Sequence, residues 1–300
     1  MANIDRVIIF SSPNDVSHTE LCVASIRFWN KDIPLYLHKD ESRKLFNTQK
    51  IQDNFDVKLC DSSNSSVGNP MSKFYYVTQG ADIIDVESLL ILDSDTAWFG
   101  NVANLFKSIP DEIQLVVQGE MNPSREWLKR KYFDPEFFQS TNPELDLPNF
   151  VFNSGHFLIK VGTLHFSESD GLLNREKSDT IDPIFPYDQG LFNFIHAKRM
   201  AEGSIKSASL EFAKWSGHKL KFDNIEGQPF IIHWAGQTHP LEERMDYWEQ
   251  LKKYREFFIQ TTGTPISLLM HYPKRVIAYL IFHVKQLLRS VLRKNKNLRS

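Results

Sequence analysis

Cysteine is scarce in this sequence, with two residues in 300, Cys22 and Cys60. That count excludes a disulfide framework and a cysteine-ligated zinc cluster, leaving two buried thiols in a reducing compartment as the expectation. Long apolar runs are also missing. None approaches the ~20 residues that span a bilayer, and the best candidate, Val276 to Val284, stops at Lys285. The start, Met-Ala-Asn-Ile-Asp-Arg, is too polar for a signal peptide, so a cytoplasmic protein is expected. Internal repeats and low-complexity tracts are absent, which removes fibrous and wholly disordered readings. Acid is missing from residues 274–300, where eight bases lie. The other 27 bases face 37 acids, a balance of −10. An acidic body with a basic end argues against nucleic acid as a partner and suggests that the end meets a negative surface.

What is present is globular: 41% apolar and 24% charged residues, ordinary values for a packed domain. Aromatics reach 13%, with 23 Phe, so rings should fill the core or a cleft. Short apolar runs at Val7–Phe10 and Leu89–Leu92 read as buried strands, with further strands at Leu35–Leu37 and near Val57–Leu59. They alternate with helical patterns at Ser17–Trp29, Glu41–Gln52 and Met71–Gln79. This order predicts an α/β fold with a mostly parallel central sheet flanked by helices, whose ligands bind beyond the carboxyl ends of the strands. Further strands are expected at Ile113–Val117, within Phe150–Lys160 and at Pro229–Trp234. Further helices are expected at Arg125–Tyr132, Gln189–Met200 and Leu241–Phe258, with a loop at Thr141–Asn149. Residues 1–262 read as one catalytic domain and 263–300 as a C-terminal helical region.

Asp93-Ser94-Asp95 directly follows the apolar run Leu89–Leu92. Alone, D-x-D is a common triplet and reads equally as a solvated turn. At the end of a buried strand it places two carboxylates at the mouth of the sheet, where they suit a hard divalent cation that keeps other sites for water and phosphate oxygens. Asn153-Ser154-Gly155 interrupts an apolar stretch, permitting close approach to a ligand and hydrogen bonds to hydroxyls. Asp188-Gln189 precedes an apolar helix, which Asp188 could cap. His233 closes the run Phe230–Ile232; an imidazole there is either a hydrogen-bonded core histidine or a metal ligand.

Four segments in one order resemble the retaining glycosyltransferases of family eight, a GT-A fold family that includes bacterial galactosyltransferases and glycogenin. They are Lys73-Phe74-Tyr75 through Leu92-Asp93-Ser94-Asp95-Thr96, then Phe152-Asn153-Ser154-Gly155, then Asp188-Gln189-Gly190-Leu191-Phe192-Asn193, then Ile232-His233-Trp234-Ala235-Gly236. The resemblance spans about residues 5 to 245. It implies a GT-A nucleotide-diphospho-sugar transferase that moves a hexose from a UDP-linked donor to a glycan or lipid-linked acceptor in cell-envelope polysaccharide synthesis. Asp93, Asp95 and His233 would hold Mn²⁺ or Mg²⁺, with Asp93 also touching the ribose. Lys73 would meet the donor phosphate or sugar. Asn153, Ser154, Asp188 and Gln189 would line the donor sugar, with Asp188 or Gln189 beside the reacting carbon. Ser11, Ser12 and Asp15 would lie near the nucleotide base and ribose, and Ser94, Gly236 and His239 would also contact the donor. One departure stands out: the family usually ends its last motif with H-x-x-G-x-x-K-P-W, whereas here His239 occupies the lysine position and the tryptophan is missing.

Two rival readings remain from the sequence. Phosphotransferases of the haloacid dehalogenase type also end a buried strand in D-x-D, with the first aspartate as nucleophile. Their motif wants Thr or Val where Ala97 stands and usually lies on the first strand. A catalytically silent nucleotide-sugar binder is the other, kept alive by His239. In the tail, Val276 to Phe282 with Leu287, Leu288, Val291 and Leu292 forms an apolar face between Lys285, Arg289, Arg293 and Lys294. That is the composition of a helix anchored peripherally on an anionic membrane surface.

Overall fold

The structure, a computed structural model, describes residues 4–41, 45–61, 72–79, 83, 85–169, 172, 185, 188–215, 227–234 and 248–266. Seven strands form the main sheet: β1 (Arg6–Ser11), β2 (Leu35–Lys39), β3 (Val57–Leu59), β4 (Ser88–Asp93), β6 (Leu115–Met121), β7 (Phe150–Lys160) and β8 (Ser207–Ser209), in the order β3-β2-β1-β4-β7-β6-β8. β1, β2, β3 and β4 run parallel, and β7 is antiparallel to both β4 and β6. A smaller sheet has β10 (Ile231–His233) between β5 (Thr96–Trp98) and β9 (Ala213–Trp215).

Alternation along the strands feeds two cores. Val7, Ile9, Leu90 and Leu92 point to one face, packed by α1 (Val16–Trp29), α2 (Gln49–Phe55) and α8 (Trp248–Thr262). Ile8, Phe10, Leu89 and Ile91 point to the other, packed by α3 (Ser72–Gln79), α5 (Arg125–Lys131), α6 (Pro135–Thr141) and α7 (Asp188–Ala201). A short helix α4 (Ala103–Phe106) adds Phe106 to the first core. The chain walks from β1 outward to β3, then returns to place β4 on the far side of β1. The carboxyl ends of β1 and β4 therefore flank a point where the winding reverses, the place where open α/β sheets bind ligands.

Several elements differ from the sequence reading, among them β5, β8 and β9, which were not expected. Of the polar helix expected over Glu41–Gln52, residues 42–44 lie outside the described residues, 45–48 are not helical, and the helix starts at Gln49. Upstream, Glu41 accepts the Phe46 N–H and Asn47 Oδ1 accepts the Gln49 N–H at 2.8 Å, so side chains compete with helical hydrogen bonding. Helix α6 was not expected. It starts with Asp134 accepting the Glu136 N–H and with Pro135 in the first turn, both ordinary start signals. Among the described residues, no helix is long and apolar enough to cross a membrane. Those up to 266 lie on the body: Ile266 is buried, and Lys50 Nζ donates to the Pro265 carbonyl. The basic stretch after 266 lies outside the described residues.

Candidate active site and metal centre

β4 ends on Asp93, and after Ser94 and Asp95 the chain enters β5, so the D-x-D is the hinge between the two sheets. Ser94 N–H donates to the Phe10 carbonyl, fixing that hinge to the end of β1. β5 pairs antiparallel with β10 in the register His233↔Thr96, and Trp234 N–H donates to the Asp95 carbonyl. This pairing delivers His233 to the acidic pair. Its Nε2 lies 3.2 Å from Asp95 Oδ1 and 4.0 Å from Asp93 Oδ2. One ligand atom from each of the three residues lies within 4.8 Å of the others, and among the described residues no other group of three such side chains does so.

β7 supplies the opposite wall. Its register pairs His156 with Leu92, so Gly155 falls beside Asp93. A Cβ at position 155 would come 2.3 Å from the His233 ring and 2.7 Å from Asp93 Oδ2. Glycine thus keeps open the space that the two acids and the imidazole face. Two carboxylates and one imidazole form a donor set that suits a divalent cation, and the residues present fit one.

The electrostatics point the same way. Burial pushes the Asp93 carboxyl above its ordinary range and the neighbouring Asp95 adds to this, with Lys73 opposing. Burial acts upward on Asp95, but His233 together with His18 and Lys73 holds that carboxyl below the ordinary range. Two acids with conflicting demands at one site are what a cation relieves. Behind His233 sits His156, fully buried, with Nδ1 3.2 Å from His233 Nδ1. Burial, then the charges of His233 and Lys73, hold His156 well below the usual imidazole range.

Lys73 is the hub on the other side. Its Nζ lies 2.7 Å from Asp93 Oδ1 and 3.0 Å from Asp188 Oδ2, and it donates to the Ser154 carbonyl at 3.1 Å. Burial alone would depress the Lys73 ammonium; the two carboxylates overcome it and raise its pKa, so it stays charged. Asp188 is the first residue of α7 and is tied by this ion pair to the D-x-D. Gln189, its neighbour, accepts from Asn153 Nδ2 at 3.1 Å and donates to the Lys131 carbonyl at 2.7 Å. Asn153 Oδ1 accepts the Gly155 N–H.

A cleft of about 310 Å³ runs along these groups, lined by Ser11, Ser12, Asp15, Lys73, the D-x-D and Asp188. Ser11 and Ser12 are engaged locally, the first with Thr19 and the second donating to Asp15. Gly236 and His239 lie outside the described residues. Sequence reasoning missed Phe10, His38 and Asp40, which line the same cleft, Phe10 and His38 being stacked at 4.7 Å. Their signal was available, since residues at the carboxyl ends of β1 and β2 must border a crevice there. A second cavity of about 460 Å³ lies beyond Asn153 and Gln189, with Gln118, Glu120, Trp127, Lys131 and Tyr132 in its wall. Consecutive residues at the start of α7 thus face different cavities: Asp188 the first, Gln189 the second.

No protein-family model matches the sequence, and no curated protein matches it in sequence. Solved structures match in fold. The galactosyltransferase LgtC, in complex with donor and acceptor sugar analogues, aligns with a TM-score of 0.56 at 12% identity, covering 87% of this chain and 97% of that one. The bifunctional glycosyltransferase WbbM aligns at 0.58 and 14%, over 91% of this chain; this chain spans 52% of WbbM, about half its length. The glycosyltransferase GlyE of Streptococcus pneumoniae TIGR4, in its apo form, aligns at 0.50 and 17%, over 89% of this chain and 66% of GlyE. The chain has the GT-A glycosyltransferase fold, α/β with a mostly parallel seven-stranded sheet.

Proposed function

We propose that this chain is a metal-dependent glycosyltransferase that moves a hexose from a UDP-linked donor to a glycan or lipid-linked acceptor with retention of configuration. The observation that carries the reading is the meeting of Asp93, Asp95 and His233 at the carboxyl edge of a GT-A sheet, with Lys73 joining Asp93 to Asp188.

Asp93, Asp95 and His233 would hold Mn²⁺ or Mg²⁺, which when bound stabilises the negative charge that develops on the departing diphosphate. The donor lies along the first cleft. Its base end meets Phe10, His38 and Asp40 with Ser11, Ser12, Asp15 and Ser94; its diphosphate end meets the D-x-D and Lys73. Breaking the glycosyl–phosphate bond builds positive charge on the sugar, as in glycoside hydrolysis. Asp188 is the carboxylate placed to stabilise it, held by Lys73, and Gln189 and Asn153 offer amides to the sugar hydroxyls. The acceptor enters through the second cavity, whose lining residue Gln189 directly follows Asp188 of the first. Trp127 offers an apolar face there, and Glu120, accepting from Trp127 Nε1 at 2.8 Å, a carboxylate for a hydroxyl. The leaving phosphate takes the acceptor's proton, since the attacking hydroxyl arrives on the face from which it departs.

The basic, amphipathic stretch from Val276 to Lys294 supports docking on the inner face of an anionic membrane, which suits an envelope or lipid-linked acceptor. The test of the function is a screen of nucleotide-sugars with Mn²⁺, run on wild type and Asp95→Ala. Metal-dependent UDP release by the wild type alone is expected. Normal turnover by Asp95→Ala sinks the reading.

A further inference from the structure

His156 belongs to neither the acidic pair nor the cleft wall, yet it is 0% exposed and touches the centre. β7 holds it opposite Leu92, one residue before the D-x-D, on the face that looks toward the small sheet. Its ring stands perpendicular to that of His233, at 88° and 5.2 Å between centroids, and Phe212 packs edge-on against it at 5.4 Å. The shortest approach joins the two Nδ1 atoms at 3.2 Å. The two nitrogens of His233 therefore have separate partners: Nδ1 faces His156, and Nε2 faces Asp95 and Asp93.

A neutral imidazole carries one N–H and one lone pair, and a metal takes the lone pair. If Nε2 of His233 is the ligand, its proton sits on Nδ1, and whatever lies within hydrogen-bond reach of Nδ1 must accept. We propose that His156 is a positioning residue of the metal centre: its Nδ1 accepts the hydrogen bond from His233 Nδ1–H and so presents the His233 Nε2 lone pair to a cation between Asp93 and Asp95. His156 then carries its own proton on Nε2. A ligand histidine is commonly oriented by a carboxylate or a backbone carbonyl. An imidazole does the same here without adding a further negative charge to a pocket that already holds Asp93, Asp95 and Asp188. The inference rests on the metal-site reading above.

The test is calorimetric titration of Mn²⁺ into the full chain as wild type, His156→Leu and His156→Asn, with the thermal midpoint of each recorded without metal. Loss of the acceptor in His156→Leu is expected to weaken Mn²⁺ binding by roughly 10- to 100-fold. His156→Asn, whose amide oxygen falls near the place of Nδ1, should recover most of that loss. Imidazole ¹⁵N–¹H spectra of the Mg²⁺-saturated wild type should show the His233 proton on Nδ1, and this readout needs no variant to fold. Equal Mn²⁺ affinity in wild type and His156→Leu overturns the inference alone, as does a His233 proton on Nε2 in the Mg²⁺-saturated protein. No Mn²⁺ binding by the wild type overturns it together with the metal-site reading.

Discussion

Asn193 satisfies both backbone polar groups of Phe152: its Oδ1 accepts the Phe152 N–H at 2.8 Å and its Nδ2 donates to the Phe152 carbonyl at 2.7 Å. The same Nδ2 reaches the Gln189 carbonyl at 2.7 Å, and the residue is 1% exposed. One amide thus fastens α7 to β7 and sets Asp188 and Gln189 against Asn153 and Gly155. Replacing Asn193 with Leu strands two buried backbone groups, at about 1–3 kcal/mol each. A fall in stability of that order is expected by urea denaturation; an unchanged midpoint would show that the clamp holds nothing.

Gly155→Ala tests the space inside the centre. The new methyl meets the His233 ring and Asp93, both far ends of side chains rather than backbone, so the fold should survive while the ligand geometry does not. Expected is at least a tenfold loss of Mn²⁺ affinity with a small change in thermal midpoint. Wild-type Mn²⁺ affinity in this variant contradicts the placement of the ion.

Stability should fall on mild acidification. His196 is 2% exposed, lies edge-on to Phe150 and Phe152, and bonds through Nε2 with Ser207 at 3.1 Å. Burial lowers its pKa from 6.5 to about 4. The unfolded chain then binds a proton that the folded chain refuses, so stability is full above pH 6.5 and declines toward about pH 4. A gap of that size is worth about 3 kcal/mol. His196→Phe should flatten this limb relative to wild type; parallel pH–stability curves for the two proteins would refute the assignment.

The second cavity makes a kinetic prediction. Trp127→Ala removes the apolar face and a donor to Glu120, but leaves the first cleft intact. The KM for acceptor should rise about tenfold, in line with 0.5–1.5 kcal/mol for a lost aromatic contact, while hydrolysis of donor in water stays at the wild-type rate. Equal losses in both reactions would place Trp127 in the scaffold.

Much of the fold was legible. The four-residue apolar runs Val7–Phe10 and Leu89–Leu92 suit strands buried on both faces, and β1 and β4 follow from that, while β2 and β3 rested on shorter signals. The D-x-D was readable because it ends such a run. Residues 45–48 misled because a polar segment between two strands reads as a crossover helix, yet here the Glu41 and Asn47 side chains accept the N–H groups of Phe46 and Gln49. Helix α6 was missed although Asp134-Pro135-Glu136 spells its start.

By itself, then, the sequence determined the alternation of strands and helices, the strand that ends in two aspartates, and the ordered motifs that resemble family eight. Only the tertiary structure decided which groups meet: His233 with Asp95 through the β5–β10 pairing, Lys73 with Asp188, and the imidazole of His156 with that of His233. Local pattern records whether a residue is buried, because burial repeats with the period of its own element. A meeting between residues of different elements depends on strand register and helix docking, which leave no periodic trace in the chain.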